Sequence, residues 1–255
     1  MFLIQFFSMQ ILKVNKVYLS FFAIVGLMLH LPFAFSSTKI FSFNKTAPVF
    51  PKIPGNTSSS YKIYDSLKLN LSGLSQQAFT SAIKGYEYLK LKGKIGNENI
   101  LSIVDFSKPS SQKRLFVLDL KNFKVLFNTY VAHGQGSGTA MATQFSNTPE
   151  SYQSSLGFYT TSSTYSGKNG YSMHLEGMEN GINDKAEERA IVMHGAPYVN
   201  ENLIHARGYI GRSWGCPAVS EKLNKPIIDK IKNGSCLFIF SENNRYLKSS
   251  KILNS

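Results

Sequence analysis

From Leu74 to Gly93 apolar residues recur every three or four positions, at Ala78, Phe79, Ala82, Ile83, Tyr86 and Leu89. That spacing puts them on one face of a helix, with Ser75 as its N-cap and Gly93 as its stop. Beyond Gly93 the pattern changes to short runs of β-branched and aromatic residues, at 100–106, 114–120, 124–133, 156–161, 171–175, 190–194 and 236–240. Turn-forming Gly, Asn, Ser and Pro separate these runs, so each is read as a strand. A second helix is expected over Lys225–Lys232, with Asn224 as cap, Pro226 in the first turn and Gly234 as terminator. No internal repeat is visible. The sum is a mainly β fold, a β-rich α+β domain closed as a barrel or packed as a sandwich, with a few peripheral helices.

Residues 1–36 follow a different pattern. Lys13 and Lys16 precede an apolar run from Val17 to Leu29, and small residues follow at Ala34 and Ser36. This is the layout of a secretory signal peptide cleaved after Ser36, with a retained anchor as the alternative reading. No cysteine follows the run to carry a lipid. The chain is therefore expected to be exported to the periplasm or cell envelope, touching a membrane only through an uncleaved signal. Residues 37–72, rich in Ser, Thr, Pro and Lys, read as an arm or linker. A catalytic-size domain over 73–241 and a polar tail over 242–255 complete the expected organisation.

Charge narrows the partners. Of the 28 Lys and Arg residues two lie in the signal, which holds no acid, leaving 26 against 15 Asp and Glu, or a net charge of +11. A basic exported protein meets anionic envelope polymers rather than nucleic acid. The lysines are scattered, so a merely soluble basic surface is an equal reading.

Chemistry concentrates between residues 190 and 220. The apolar run AIVMH ends at His194 and is followed by Gly195, while GRSWGCPAVS holds Cys216 behind Ser213, Trp214 and Gly215. A cysteine nucleophile needs a base or cation nearby, because the thiolate is the attacking species. His194 at a strand end can serve as that base. Backbone N–H groups of Trp214, Gly215 and Cys216 in a tight turn are candidates for an oxyanion hole. Two alternatives stay open on these residues alone. Cys216 and Cys236, the only cysteines, could pair as a disulfide, or both could be buried structural thiols. A zinc site built from His133, His174, His194 and Cys216 lacks short paired ligand spacing, so no metal and no cofactor is expected.

Taken together, RAIVMHGAPYV, GRSWGCPAVS and PIIDKIKNGSCLFIF resemble the L,D-transpeptidase catalytic domain family (YkuD-like), in its murein L,D-transpeptidase branch. The resemblance runs from about Gly73 to Phe240. It implies a secreted cysteine acyltransferase acting on peptidoglycan stem peptides, with His194 as base, Cys216 as nucleophile, and Gly195 and Ser213 as motif companions. It also implies acylation of Cys216 by carbapenems. The chain departs from the commoner family pattern at Trp214, where that pattern has histidine, and at Pro217 and Ala218. Trp214 is expected to wedge the turn into the core, with stacking on substrate as the alternative. Arg212 and His133 are candidate substrate contacts. An L,D-carboxypeptidase, a sortase-like transferase and a non-catalytic wall-binding module are the competing functions.

Overall fold

The structure, a computed structural model, describes residues 63–70 and 72–255. The expected signal segment and most of the arm lie outside the described residues. The arm's end is folded, with Tyr64, Leu67 and Leu69 buried in the core.

Helix α1 (Gln76–Leu91) forms where the apolar spacing places it, with the Ser75 side chain accepting from the Ala78 amide. Its buried face packs on strands β1 (Ile100–Asp105) and β8 (Cys236–Phe240). The fit is close at Gly85, where a Cβ would collide with the Phe158 ring, itself stacked on Phe238 at 4.1 Å. The remaining strands are β2 (Leu115–Asp119), β3 (Lys124–Thr129), β4 (Gly157–Gly167), β5 (Gly170–Gly177), β6 (Val192–Gly195) and β7 (Ala218–Val219). They form one mixed sheet in the order β3-β2-β1-β8-β4-β5-β6-β7. β1 and β8 pair in parallel, as do β6 and β7; the other neighbours are antiparallel.

The sheet nearly closes into a barrel. The run 124–133, expected as one strand, changes partner: β3 stops at Thr129, and the following segment crosses to the opposite edge. There the Ala132 amide donates to Ala218 of β7 at 2.8 Å, and Gly134 bridges Ser213. The segment after β3 thus covers the β7 edge, which would otherwise be an exposed strand edge.

Two expectations about helices need correction. Helix α3 (Glu221–Ile231) starts four residues before Lys225, because Ser220 rather than Asn224 is its N-cap. Pro226 lies inside it, and Asn224 is buried with its Nδ2 donating to Tyr171 O at 2.6 Å. The tail beyond Phe240 is folded, with helix α4 (Asn244–Ser249) and the buried residues Tyr246, Ser250 and Ile252. It docks on Glu179, whose carboxylate accepts from the Phe158 amide and Tyr246 hydroxyl, both at 2.9 Å, and from the Ser250 hydroxyl. Burial pushes the Glu179 carboxyl up, and these three donors oppose it. Helix α2 (Glu201–Arg207), unforeseen from the sequence, is capped by Asn200 and ended by Gly208 in the left-handed region. No helix among the described residues is long and apolar enough to cross a membrane.

Behind the barrel closure lies Arg114, which is fully buried. Its Nε and Nη2 donate to Val131 O (3.1 and 2.9 Å), Nη1 to Lys108 O (2.9 Å), and Nη2 also to His133 Nδ1 (2.7 Å). Since arginine only donates, His133 Nδ1 accepts, and Nε2–H therefore donates to Gly138 O at 3.2 Å. Burial first, and the neighbouring guanidinium second, hold the His133 imidazole down at about 4.

The sign of the resulting pH dependence is definite. Between about 6.5 and about 4 the unfolded chain carries a proton on His133 that the folded chain excludes, so stability is full above this window and falls as pH drops through it. The loss attributable to His133 is on the order of 3 kcal/mol across the window. Glu179, held up in the folded state, runs the other way, so a variant isolates the effect. His133→Asn, which keeps an acceptor facing Arg114, is expected to flatten the fall in thermal midpoint between pH 7 and 4, as measured by circular dichroism. An unchanged pH slope would contradict the assignment.

Candidate active site

The parallel pairing of β6 with β7 sets His194 opposite Ala218. Cys216 precedes Ala218 by two residues, and Val192 precedes His194 by two, so the thiol lies level with Val192 on the strand carrying the histidine. Its Sγ accepts from the Val192 amide at 3.5 Å and its S–H donates to Ala190 O at 3.7 Å. His194 and Val192, two apart on a strand, project to the same face. The register therefore brings the thiol beside the strand that carries an imidazole 22 positions away in sequence.

Ser213 ties the turn that delivers Cys216. Its hydroxyl accepts from the Gly215 amide at 3.1 Å and donates to Cys216 O at 2.6 Å. Gly215 has φ of 129°, and a Cβ there would meet Gln153 O at 2.9 Å, Ile191 at 3.2 Å and Arg189 at 3.3 Å. Only glycine meets both demands. Of the three amides considered for an oxyanion hole, that of Gly215 is consumed by Ser213. The amides of Trp214 and Cys216 have no acceptor among the described residues and remain the candidates.

His194 is buried, and its Nδ1 lies 2.9 Å from Gly195 O. A carbonyl only accepts, so Nδ1 carries the proton and Nε2 presents a lone pair. Burial holds the imidazole below its ordinary value, with the Gly195 carbonyl opposing, so it is neutral and basic at neutral pH. Gly195 contributes that carbonyl; its α-carbon packs against Asn224, whose Cβ would lie 3.0 Å from an added methyl. It faces helix α3 rather than substrate.

Arg189, hidden in the charged run KAEERA, is the residue that sequence reasoning missed. It lies just before Ala190, which has φ of 51° and ends a helical turn through Ile191 N to Ala186 O and Ala190 N to Glu187 O. The half-buried guanidinium donates from Nη1 to Ser146 O (2.8 Å) and Ser155 Oγ, and from Nη2 to Gln153 O (2.6 Å) and Ser151 Oγ (3.4 Å). All these acceptors are neutral, so its charge is uncompensated by any ion pair among the described residues. Burial pushes the Cys216 thiol above its ordinary 9.0, while the Val192 amide and then Arg189 pull it back. A run of Glu, Arg and Lys reads as a solvated face, so nothing in the sequence separates Arg189 from its neighbours.

Other expected residues fall elsewhere. His133 is fully buried behind the turn, its ring committed to Arg114 and Gly138, and is a support rather than a substrate contact. Trp214 is 71% exposed and does not wedge into the core. Arg212 is exposed and donates to Gly138 O at 3.0 Å. His174 stacks on Tyr165 at the outer hairpin, and His205 lies on α2; neither joins His194. No group of three or more His, Cys, Asp or Glu able to hold a metal occurs among the described residues. Cys216 and Cys236 are both free, Cys236 being fully buried in β8. A cavity of about 570 Å³, lined by Gln144, Asn147 and Arg245 among others, includes neither Cys216 nor His194. The chemistry, not the cavity, marks the site.

Because a cation favours the thiolate, removing it moves the titration of Cys216 to higher pH. In Arg189→Gln the pH midpoint of iodoacetamide alkylation, read by intact mass, is expected to rise, and Arg189→Lys to recover part of the shift. An unmoved midpoint in Arg189→Gln would contradict the electrostatic role.

The L,D-transpeptidase catalytic domain family model matches residues 70–240. No curated protein matches the sequence. Among solved structures, the chain is similar to an L,D-transpeptidase from Mycobacterium smegmatis (13% identity, 56% of this chain and 59% of that chain covered, TM-score 0.35). It is also similar to L,D-transpeptidase 3 from Mycobacterium tuberculosis in complex with a faropenem-derived adduct (15% identity, 56% and 60% covered, TM-score 0.35). A third is the helical cell shape determining protein Pgp2 from Campylobacter jejuni (11% identity, 64% and 57% covered, TM-score 0.39). The chain spans less than two thirds of the length of each of these proteins. The family model covers well over half of the sequence and includes His194, Cys216 and every strand of the sheet, so the chain belongs to the L,D-transpeptidase catalytic domain family.

Proposed function

We propose that the protein is an exported L,D-transpeptidase that cuts a peptidoglycan stem tetrapeptide at the L-centre of its third residue and joins that residue to a second stem. The observation that carries this reading is the β6–β7 register, which sets the Cys216 thiol beside the strand bearing an Nδ1-protonated His194. The Trp-bearing motif SWGCPA supports a reading within the murein branch, and the apolar segment before Ser36 supports export.

In the free enzyme both groups are neutral, since burial raises the thiol and lowers the imidazole. The thiol proton must leave the Ala190 carbonyl and pass to His194 Nε2 as sulfur attacks the third-residue carbonyl. The oxyanion that forms is met by the Trp214 and Cys216 amides. Collapse breaks the peptide bond, and His194 returns its proton to the departing amine of D-alanine. A thioester remains on Cys216. The amine of a second stem then gives a proton to His194 and attacks the thioester, forming the 3-3 cross-link; His194 reprotonates the leaving sulfur. Water in place of that amine makes the same protein an L,D-carboxypeptidase.

Incubation with disaccharide tetrapeptides, read by mass spectrometry, distinguishes these outcomes: a cross-linked dimer is expected, tripeptide alone indicates the carboxypeptidase, and no product rejects the enzyme. His194→Ala is expected to lower kcat roughly 10²- to 10⁴-fold, the ordinary weight of a positioned base. The acidic limb of the kcat/KM profile should lie below 6.5, because His194 is held below that value. Full turnover in His194→Ala, or an acidic limb above 6.5, would reject His194 as the base.

A further inference from the structure

Beside the nucleophile stand two aromatic rings that the chemistry above does not use. Trp214 is 71% exposed and Tyr152 44% exposed, and their rings meet edge to face with centroids 5.9 Å apart. Large apolar side chains left open together mark contact surfaces rather than packing. The backbone beneath Tyr152 reinforces the point. Tyr152 has φ of 53° and Glu150 φ of 58°, a region that side-chain-bearing residues enter at a cost and that recurs at ligand clamps.

That conformation is held from several sides. The Gly136 amide donates to Tyr152 O at 2.9 Å, and Arg189 grips the residues on either side of Tyr152, at Ser151 Oγ and Gln153 O. A Cβ on Gly134 would collide with Tyr152 O, and one on Gly136 would meet Ser151 O at 2.6 Å. Glycines and a half-buried arginine thus impose a strained loop whose product is an exposed tyrosine set against an exposed tryptophan.

We infer that Tyr152 and Trp214 form a ledge that stacks a sugar ring of the glycan strand carrying the donor stem. This rests on the peptidoglycan substrate proposed above. The ledge is open and its rings are inclined at 64°, so a sugar ring lies on one aromatic face with the other ring at its side; an apolar side chain is better served by an enclosed pocket. A pyranose offers a C–H face to an aromatic ring and polar groups at its rim, and the exposed Gln135 and Arg212 provide polar partners there. Trp214 is two residues from Cys216, so the ledge lies on the turn that carries the proposed nucleophile.

Trp214 is the only tryptophan of the chain, so intrinsic emission at 295 nm excitation reports on this position alone. In full-length Cys216→Ser, a tetramer of N-acetylglucosamine is expected to shift the emission saturably, while a sugar-free stem tetrapeptide leaves it unmoved. Tyr152→Asn tolerates the positive φ and removes the ring; it should weaken sugar binding about tenfold, as expected for one lost stacking surface. Tyr152→Phe should bind as the parent does. With Cys216 present, Tyr152→Asn should raise KM for disaccharide tetrapeptide with kcat and sugar-free turnover unchanged. No emission shift with the sugar, an equal shift with the peptide, or unchanged affinity in Tyr152→Asn would overturn the ledge. Sugar binding without turnover of any stem peptide would instead reject the transpeptidase reading and leave the ledge standing.

Discussion

The parallel pairing of β6 and β7 is the constraint on which the site depends. Parallel strands cannot be joined by a tight turn, so the chain must leave the sheet after Gly195 and return by a crossover. That crossover holds α2 and ends in the Ser213–Cys216 turn. A slip of one residue in this pairing would carry Cys216 away from the face shared by Val192 and His194. Several interactions protect the register: Ala132 closes the barrel on Ala218, the Ser213 amide donates to His133 O, and the Gln135 amide donates to Ser213 O. The nucleophile turn is thus sewn to a segment from the far edge of the sheet.

Three buried or half-buried charges organise the surroundings without direct ion pairs. Arg114 fixes His133 and, through it, the segment that holds Ser213. Arg189 fixes the 146–155 loop and leaves its positive charge beside Cys216. Glu179 docks the C-terminal segment. Each forms hydrogen bonds to neutral groups, which satisfies its donors or acceptors without a direct ion pair, although Asp105 acts on Arg114 from further off. Near Cys216 the Arg189 charge has chemical value, because it favours the thiolate formed during attack. At His133, burial first and the Arg114 charge second keep the imidazole neutral, and the Arg114 donor commits it to one tautomer.

Local pattern made much of this fold legible. The α1 helix, its Ser75 cap and most strands follow from spacing and residue type, and the two motifs around His194 and Cys216 mark the pair to which the proposed chemistry is assigned. What escaped was set by distant contacts. The run 124–133 looks continuous, but its end is claimed by β7. Pro226 reads as a first-turn residue, yet Ser220 begins the helix earlier. His133 resembles a cleft residue until Arg114, 19 positions away, takes its Nδ1. Arg189 is one charge among several in a run, distinguished only by the loop that folds over it. Trp214 reads from the sequence as a wedge for the turn, with stacking on substrate as the alternative, and it stands exposed beside the hydrogen-bonded Ser213 turn.

In the proposed function the donor stem is carried covalently on Cys216 Sγ. The direct measurement is peptide mapping of the full-length protein quenched in acid during incubation with disaccharide tetrapeptide. A thioester adduct of the disaccharide tripeptide is expected on the peptide containing Cys216, lost in Cys216→Ser and built up in the absence of an acceptor amine. An adduct on any other residue, or turnover that persists in Cys216→Ser, would contradict this assignment.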